Sequence, residues 1–164
     1  MSVEFLPMDG GCACGAVRYR LTGRPLIVHC CHCRGCQRES GSAFALNAVI
    51  ETDRVKPLRG RPLLETLAGS GGPDQEVARC PACMVTLWSH YADDGAAFAH
   101  VRVGTLDDPD RLPPDIHVFT SDKQAWVAIP AGARAVPAFY RREDVWSAES
   151  LERRRIALGG AGGG

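Results

Sequence analysis

The chain has 164 residues, 45% of them hydrophobic, with 19 basic and 19 acidic side chains. That length suits one domain with a modest core, and zero net charge leaves no electrostatic footprint for nucleic acid or an anionic membrane. No apolar run reaches the length of a membrane span. Residues 1–10 lack the basic start and apolar stretch of a secretory signal, so a cytoplasmic protein is expected.

The elements along the chain are short and β-rich. Gly11-Cys12-Ala13-Cys14-Gly15 comes first, its flanking glycines permitting a tight turn. From Val17 apolar and polar residues alternate, as in a half-buried strand. Leu26-Ile27-Val28 then leads into Cys30-Cys31-His32-Cys33-Arg34-Gly35-Cys36. Residues 37–42 read as a polar loop or short helical turn, and residues 43–50 as a strand. Turns are predicted at Lys56-Pro57 and across residues 69–74, with a strand over 63–68 between them. Arg79-Cys80-Pro81-Ala82-Cys83 forms a knuckle-like turn, followed by strands over 85–91 and 97–103. After loops at Asp107-Asp108-Pro109 and Pro113-Pro114-Asp115, His117-Val118-Phe119-Thr120 is short and extended. Strands of this length between Gly and Pro turns predict an all-β domain of short antiparallel strands. A C-terminal helix is expected over 143–158, with Val145, Leu151 and Ile156 as its apolar positions, at the periphery or against a partner. The Gly-rich residues 159–164 are expected to be mobile.

The unusual feature is eight cysteines: Cys12, Cys14, Cys30, Cys31, Cys33, Cys36, Cys80 and Cys83. In a reducing compartment, clustered cysteines are read as metal ligands before disulfides. Zinc takes four tetrahedral ligands, and all-thiolate sites also suit iron. On an extended backbone, Cys-x-Cys sends both sulfurs to one face; in Cys-x-x-Cys a turn gathers them. Spacing leaves two partitions open. In one, Cys12 and Cys14 join Cys80 and Cys83, and Cys31, Cys33 and Cys36 stand as a separate triplet. In the other, Cys33 and Cys36 join Cys80 and Cys83. A triplet holds one face of an ion and leaves a position for water or substrate, the arrangement of a reactive site. Cys30 faces away from Cys31 on a strand and reads as a small buried hydrophobe. His32 faces away from its two neighbours and reads as an orienting or packing residue.

These clusters, in this order, resemble the glutathione-dependent formaldehyde-activating enzyme family, which includes centromere protein V-like domains. The resemblance rests on Gly11-Cys12-Ala13-Cys14-Gly15, on Cys31-His32-Cys33-Arg34-Gly35-Cys36-Gln37-Arg38-Glu39-Ser40-Gly41-Ser42, on Cys80-Pro81-Ala82-Cys83 with Leu87-Trp88, and on the segment from His117 through Lys123 to Trp126. It implies the family's zinc-pinned, mainly-β fold over residues 1–140, with residues 141–164 as helix and tail. It also selects the first partition: Cys12, Cys14, Cys80 and Cys83 around a structural zinc, and Cys31, Cys33 and Cys36 around a second, catalytic zinc, two ions per chain. Met84 departs from the pattern, because the family usually carries Gly there; Arg79 stands where an aromatic is common.

The activity so implied is that of a carbon–sulfur lyase, forming or cleaving an S-hydroxymethyl adduct of a small thiol such as glutathione with formaldehyde. Arg38, Ser40 and Ser42 are candidates for holding a substrate carboxylate; His117 and Lys123 are placed near the site. A non-catalytic zinc module that binds a thiol or protein partner is the other reading.

Overall fold

The computed structural model describes residues 5–69 and 74–159. In chain order the strands are β1 (Met8–Gly11), β2 (Arg18–Leu21), β3 (Ile27–Cys31), β4 (Ala45–Glu51), β5 (Val55–Arg59), β6 (Leu63–Leu67), β7 (Gln75–Arg79), β8 (Thr86–Tyr91), β9 (Phe98–Arg102) and β10 (Ile116–Val118). The helices are α1 (Arg34–Ser40), α2 (Arg142–Val145) and α3 (Ala148–Ala157). No described helix is long and apolar enough to cross a membrane. Most of the predicted turn over 69–74 and the glycine tail beyond Gly159 lie outside the described residues.

The predominance of strands agrees with the sequence. They form a three-stranded sheet, β1-β2-β5, and a seven-stranded sheet, β10-β3-β4-β9-β8-β7-β6. All pairings are antiparallel except β10 with β3. β1, β5 and β7 are absent from the sequence reading. Lys56-Pro57, read as a turn, lies within β5. β5 is an edge strand of the small sheet, the place in a sheet where proline is tolerated.

The large sheet is covered on both faces. Val28, Ala48, Ile50 and Val101 point toward the small sheet and pack in one core with Met8, Tyr19, Leu21 and Leu87. Ile27 and Val49, each one position away, and Phe98, next to Ala99 of the first core, enter a second core with Ile116, Val118 and Trp146. The two-residue period of a strand thus divides the apolar side chains between two cores. Cys12 and Cys80 belong to the first, and Cys31 and Cys36 to the second.

The C-terminal segment differs from the predicted single helix over 143–158. Trp146 is extended (ψ 150°) and separates α2 from α3. The Ser147 hydroxyl accepts from the Ser150 N–H at 3.0 Å and starts a new helix there. The break buries the Trp146 indole, whose Nε1 donates to the Tyr140 hydroxyl at 2.8 Å. α3 docks through Ser150 Oγ on the Leu26 carbonyl and through Arg153 in a two-pronged pair with Glu51. Leu151 packs on the second core, whereas Ile156, predicted to be apolar-facing, is 60% exposed.

His100 sits on β9 beneath this segment, edge-on to Tyr91 at 4.6 Å, with its Nε2 buried and unpartnered. Burial, reinforced by His29 and Arg102, holds its pKa down at about 3 against an ordinary 6.5. Between those values the unfolded chain binds one proton more than the folded one. Stability therefore falls as pH drops through that window, by up to about 1.4 kcal/mol per pH unit from this group. Urea unfolding from pH 7 to 4 is expected to show a slope of this sign, and His100→Phe to reduce it, the part that remains coming from His29, which burial holds down at about 4.

Candidate functional site

The first cysteine set joins two turns built alike. Between β1 and β2, the Cys12 N–H donates to the Val17 carbonyl at 3.0 Å and the Val17 N–H donates to Cys12 Sγ at 3.3 Å. Gly15 takes φ +76°, and a Cβ on Gly11 would lie 2.5 Å from the Val17 carbonyl oxygen, so both glycines are required by the turn. After β7, the Cys80 N–H donates to the Val85 carbonyl at 3.0 Å and the Ala82 N–H donates to Cys80 Sγ at 3.4 Å. The four sulfurs of Cys12, Cys14, Cys80 and Cys83 lie within 4.8 Å of one another. Cys14 is 3.5 Å from Cys12 and 3.7 Å from Cys80. A tetrahedron with zinc–sulfur bonds of ~2.3 Å has edges of about 3.8 Å, so the donor set fits a closed four-thiolate metal site. Burial tends to raise the Cys12 thiol, but the Val17 N–H and the neighbouring cysteines pull it down to about 6.

Met84 follows this knuckle with φ 59°, the left-handed conformation that the resemblance to a glycine position anticipated. Its N–H bonds the Cys80 carbonyl at 2.9 Å. Arg79 braces the same residue: its Nη1 donates to the Met84 carbonyl at 3.4 Å, and its Nε lies 3.2 Å from Glu65.

The second set lies at the end of β3 and the start of α1. Cys31 closes the strand; Cys33 is the N-cap of the helix, its Sγ accepting the Cys36 N–H at 3.3 Å; Cys36 stands in the first turn. The three sulfurs lie within 4.8 Å of one another, and no fourth Cys, His or carboxylate among the described residues joins them. Cys31 and Cys36 are buried and Cys33 is half-buried. Hydrogen bonds from Cys31 and Cys36 hold the Cys33 thiol down to about 2, while the same contacts and burial push Cys31 up. This three-thiolate set fits one face of a tetrahedral ion.

The helix behind the set is held by groups the sequence did not single out. The Gln37 amide is fully used: its Nε2 donates to the His32 and Asp122 carbonyls at 2.6 and 3.0 Å. Its Oε1 accepts from Arg34 at 2.9 Å and Gln124 at 3.1 Å. Glu39 pairs with Arg102 at 2.6 Å, and that guanidinium also donates to Asn47 and Ser89. Both partners are nearly buried, at 9% and 11% side-chain exposure. A single arginine far along the chain gives no local signal of this role.

A groove of about 730 Å³ runs along α1, lined by Arg34, Gln37, Arg38, Ser42, Gln124 and Trp126. Arg34 and Arg38, four residues apart, share the exposed face of α1. Trp126 is 75% exposed, with its Nε1 on Gln124 Oε1 at 2.7 Å. Of the predicted carboxylate-binding residues, Arg38 and Ser42 line this groove. The Ser40 hydroxyl instead donates to the Cys36 carbonyl at 2.7 Å. Lys123 Nζ donates to the Gln124 and Val127 carbonyls, and His117 contacts His32. Cys30 and His32 face away from the triplet, as strand alternation requires.

Two turns joined by four thiols, and a thiol triplet on the opposite face of the same sheet, define a cysteine-rich β fold whose clusters could hold metal ions. The chain belongs to the glutathione-dependent formaldehyde-activating enzyme family, whose family model matches residues 7–122. A Halomonas elongata protein named "Putative glutathione-dependent formaldehyde-activating enzyme" is 26% identical over 127 residues, covering 74% of this chain and 80% of that one. Among solved structures, a Rhodobacter sphaeroides protein aligns at 22% identity with a TM-score of 0.46, over 61% of this chain and 88% of its own.

Two sets of substitutions test the local physics. Met84→Ile, placing a β-branched residue at positive φ, is expected to cost about 1–3 kcal/mol in urea unfolding, whereas Met84→Gly removes the strain and is not destabilising. Arg102→Met leaves Glu39 buried without its partner and is expected to cost about 3 kcal/mol or more; adding Glu39→Met recovers part of that loss.

Proposed function

We propose that the chain is a cytoplasmic, zinc-dependent carbon–sulfur lyase that forms or cleaves the S-hydroxymethyl adduct of a small thiol, with glutathione and formaldehyde as the first pair to test. The observation that carries this reading is the triplet of Cys31, Cys33 and Cys36, which has no fourth protein donor among the described residues. Family membership supports it. In this reading Cys12, Cys14, Cys80 and Cys83 hold a structural zinc, and Cys31, Cys33 and Cys36 hold the catalytic one. Zinc at the triplet supplies a position at which a thiol loses its proton more readily.

The rest falls to the chain's own residues. Arg34 and Arg38 lie four residues apart on the open face of α1, and their guanidinium groups suit a carboxylate of the thiol. Ser42 offers a hydroxyl on the same groove, and Trp126 an apolar wall. Ser40 serves the helix end, not the substrate. Gln37 fixes the helix that presents the triplet. The thiol sulfur adds to the aldehyde carbon; the carbonyl pair moves to oxygen, which takes up the proton the thiol released. The reverse step breaks the same carbon–sulfur bond.

The test is exchange spectroscopy of formaldehyde with glutathione on metal-loaded protein. Exchange above background is expected for the unaltered chain. Cys31→Ser and Cys36→Ser are expected to return it to background with the loss of one zinc equivalent. Arg38→Ala is expected to raise KM roughly tenfold, the loss of one charge-assisted hydrogen bond. Background exchange from a fully loaded chain would overturn the enzyme reading in favour of a zinc module that binds thiols or a partner.

A further inference from the structure

We propose a third metal site, made by Cys30, His32 and His117, that takes a divalent ion of the zinc class. It is separate from both cysteine sites. Cys30 of β3 and His32, just beyond the strand's end, lie on the face opposite to Cys31, and His117 is the residue of β10 that pairs directly with Cys30. One ligand atom from each lies within 4.8 Å of the other two.

The contact distances have the size a metal requires. Cys30 Sγ is 3.5 Å from His32 Nε2, and that nitrogen is 3.0 Å from His117 Nδ1. In a tetrahedron with zinc–nitrogen bonds of about 2.0–2.1 Å and a zinc–sulfur bond of about 2.3 Å, the sulfur–nitrogen edge is about 3.5 Å and the nitrogen–nitrogen edge about 3.4 Å. One edge matches, and the other opens by a few tenths of an ångström. The two imidazoles are already stacked, at 20° between planes, with these nitrogens turned to each other.

As a cluster of protein groups alone, the site is poorly satisfied. All three residues are buried, with exposures of 2%, 0% and 8%. Three lone-pair-bearing atoms converge there, and no carboxylate joins them among the described residues. His32 Nδ1 is buried without a partner, so every polar contact of that ring is on the converging side. A cation accepts lone pairs from all three atoms at once, which the protons of the neutral groups do not. A metal ion entering the cluster displaces the Cys30 proton, and the resulting thiolate and two imidazoles are donor types that zinc takes together. Three donors leave a fourth position for water, and His117 is the least buried of the three.

The consequence is mechanical. β10 is three residues long and pairs in parallel with β3. A bond through metal from His117 to Cys30 and His32 ties it to the strand that carries Cys31.

Two measurements decide the matter. The chain is loaded with zinc, freed of loose metal by gel filtration, and analysed for zinc per chain. About three equivalents are expected, falling to about two in Cys30→Ala and in His117→Ala, with formaldehyde–glutathione exchange retained in Cys30→Ala. The unaltered chain is also loaded with cadmium, and its cadmium NMR spectrum is expected to show one resonance from a site of mixed nitrogen and sulfur donors beside two from all-sulfur sites. Two zinc equivalents in the unaltered chain, or three that neither variant reduces, overturn the proposal. So does a cadmium spectrum without the mixed-donor resonance, even where a variant fails to fold. These outcomes stand apart from the lyase reading, which is tested at Cys31 and Cys36.

Discussion

Strand β3 runs between β4 and β10 with both faces covered, and the alternation of its side chains is the constraint from which the rest follows. Ile27 and Cys31 face one core; Val28 and Cys30 face the other side. A slip of one residue in its pairing would exchange Cys30 for Cys31 and send each sulfur to the wrong partners. The register is therefore fixed several times over. Five residue pairs join β3 to β4. On the other edge Asp115 holds Val28 by both its backbone N–H and its carboxylate, each at 2.8 Å.

Electrostatics set the second demand. Thiolates inside a protein need positive charge nearby, because burial penalises the ionised form. At the candidate metal sites a bound cation would answer this. At Cys36 the hydrogen bond from Cys31 is outweighed by the Cys33 contact and burial, which leave the thiol raised; the nearby buried Arg102 offsets this only slightly, and Glu39 takes up much of its charge at 2.6 Å. The pair therefore places α1 against the sheet more than it neutralises the sulfurs. Asn47 and Ser89 use further donors of the same guanidinium, so the ion pair is also a well-bonded one.

The sequence was most informative where chemistry and spacing coincide. Cysteine clusters marked the turns, and β-branched runs marked β3, β4, β8 and β9. The partition of the cysteines was not legible from spacing, since a chain order says nothing about which turns meet; the family resemblance supplied it, and the sulfurs converge in the same grouping. β5 and β7 were hidden for different reasons. Pro57 reads as a turn unless its strand is known to be an edge, and Gln75–Arg79 has no clear alternation to betray it. The break at Trp146 was hidden because the apolar spacing of residues 143–158 continues through it, while Ser147 competes as a cap only once the indole has a cavity to fill. The roles of Gln37 and Arg102 depend on partners far away in the chain, to which no local pattern points.

Gln37 has one more implication. With both its donors and its acceptor committed, it couples α1 to the 3-10 turn at Thr120–Asp122 and to Gln124, which in turn holds Trp126. The two walls of the groove are thus parts of one hydrogen-bonded frame. A molecule entering there meets two walls held in one frame, so what the groove admits depends on fit and charge.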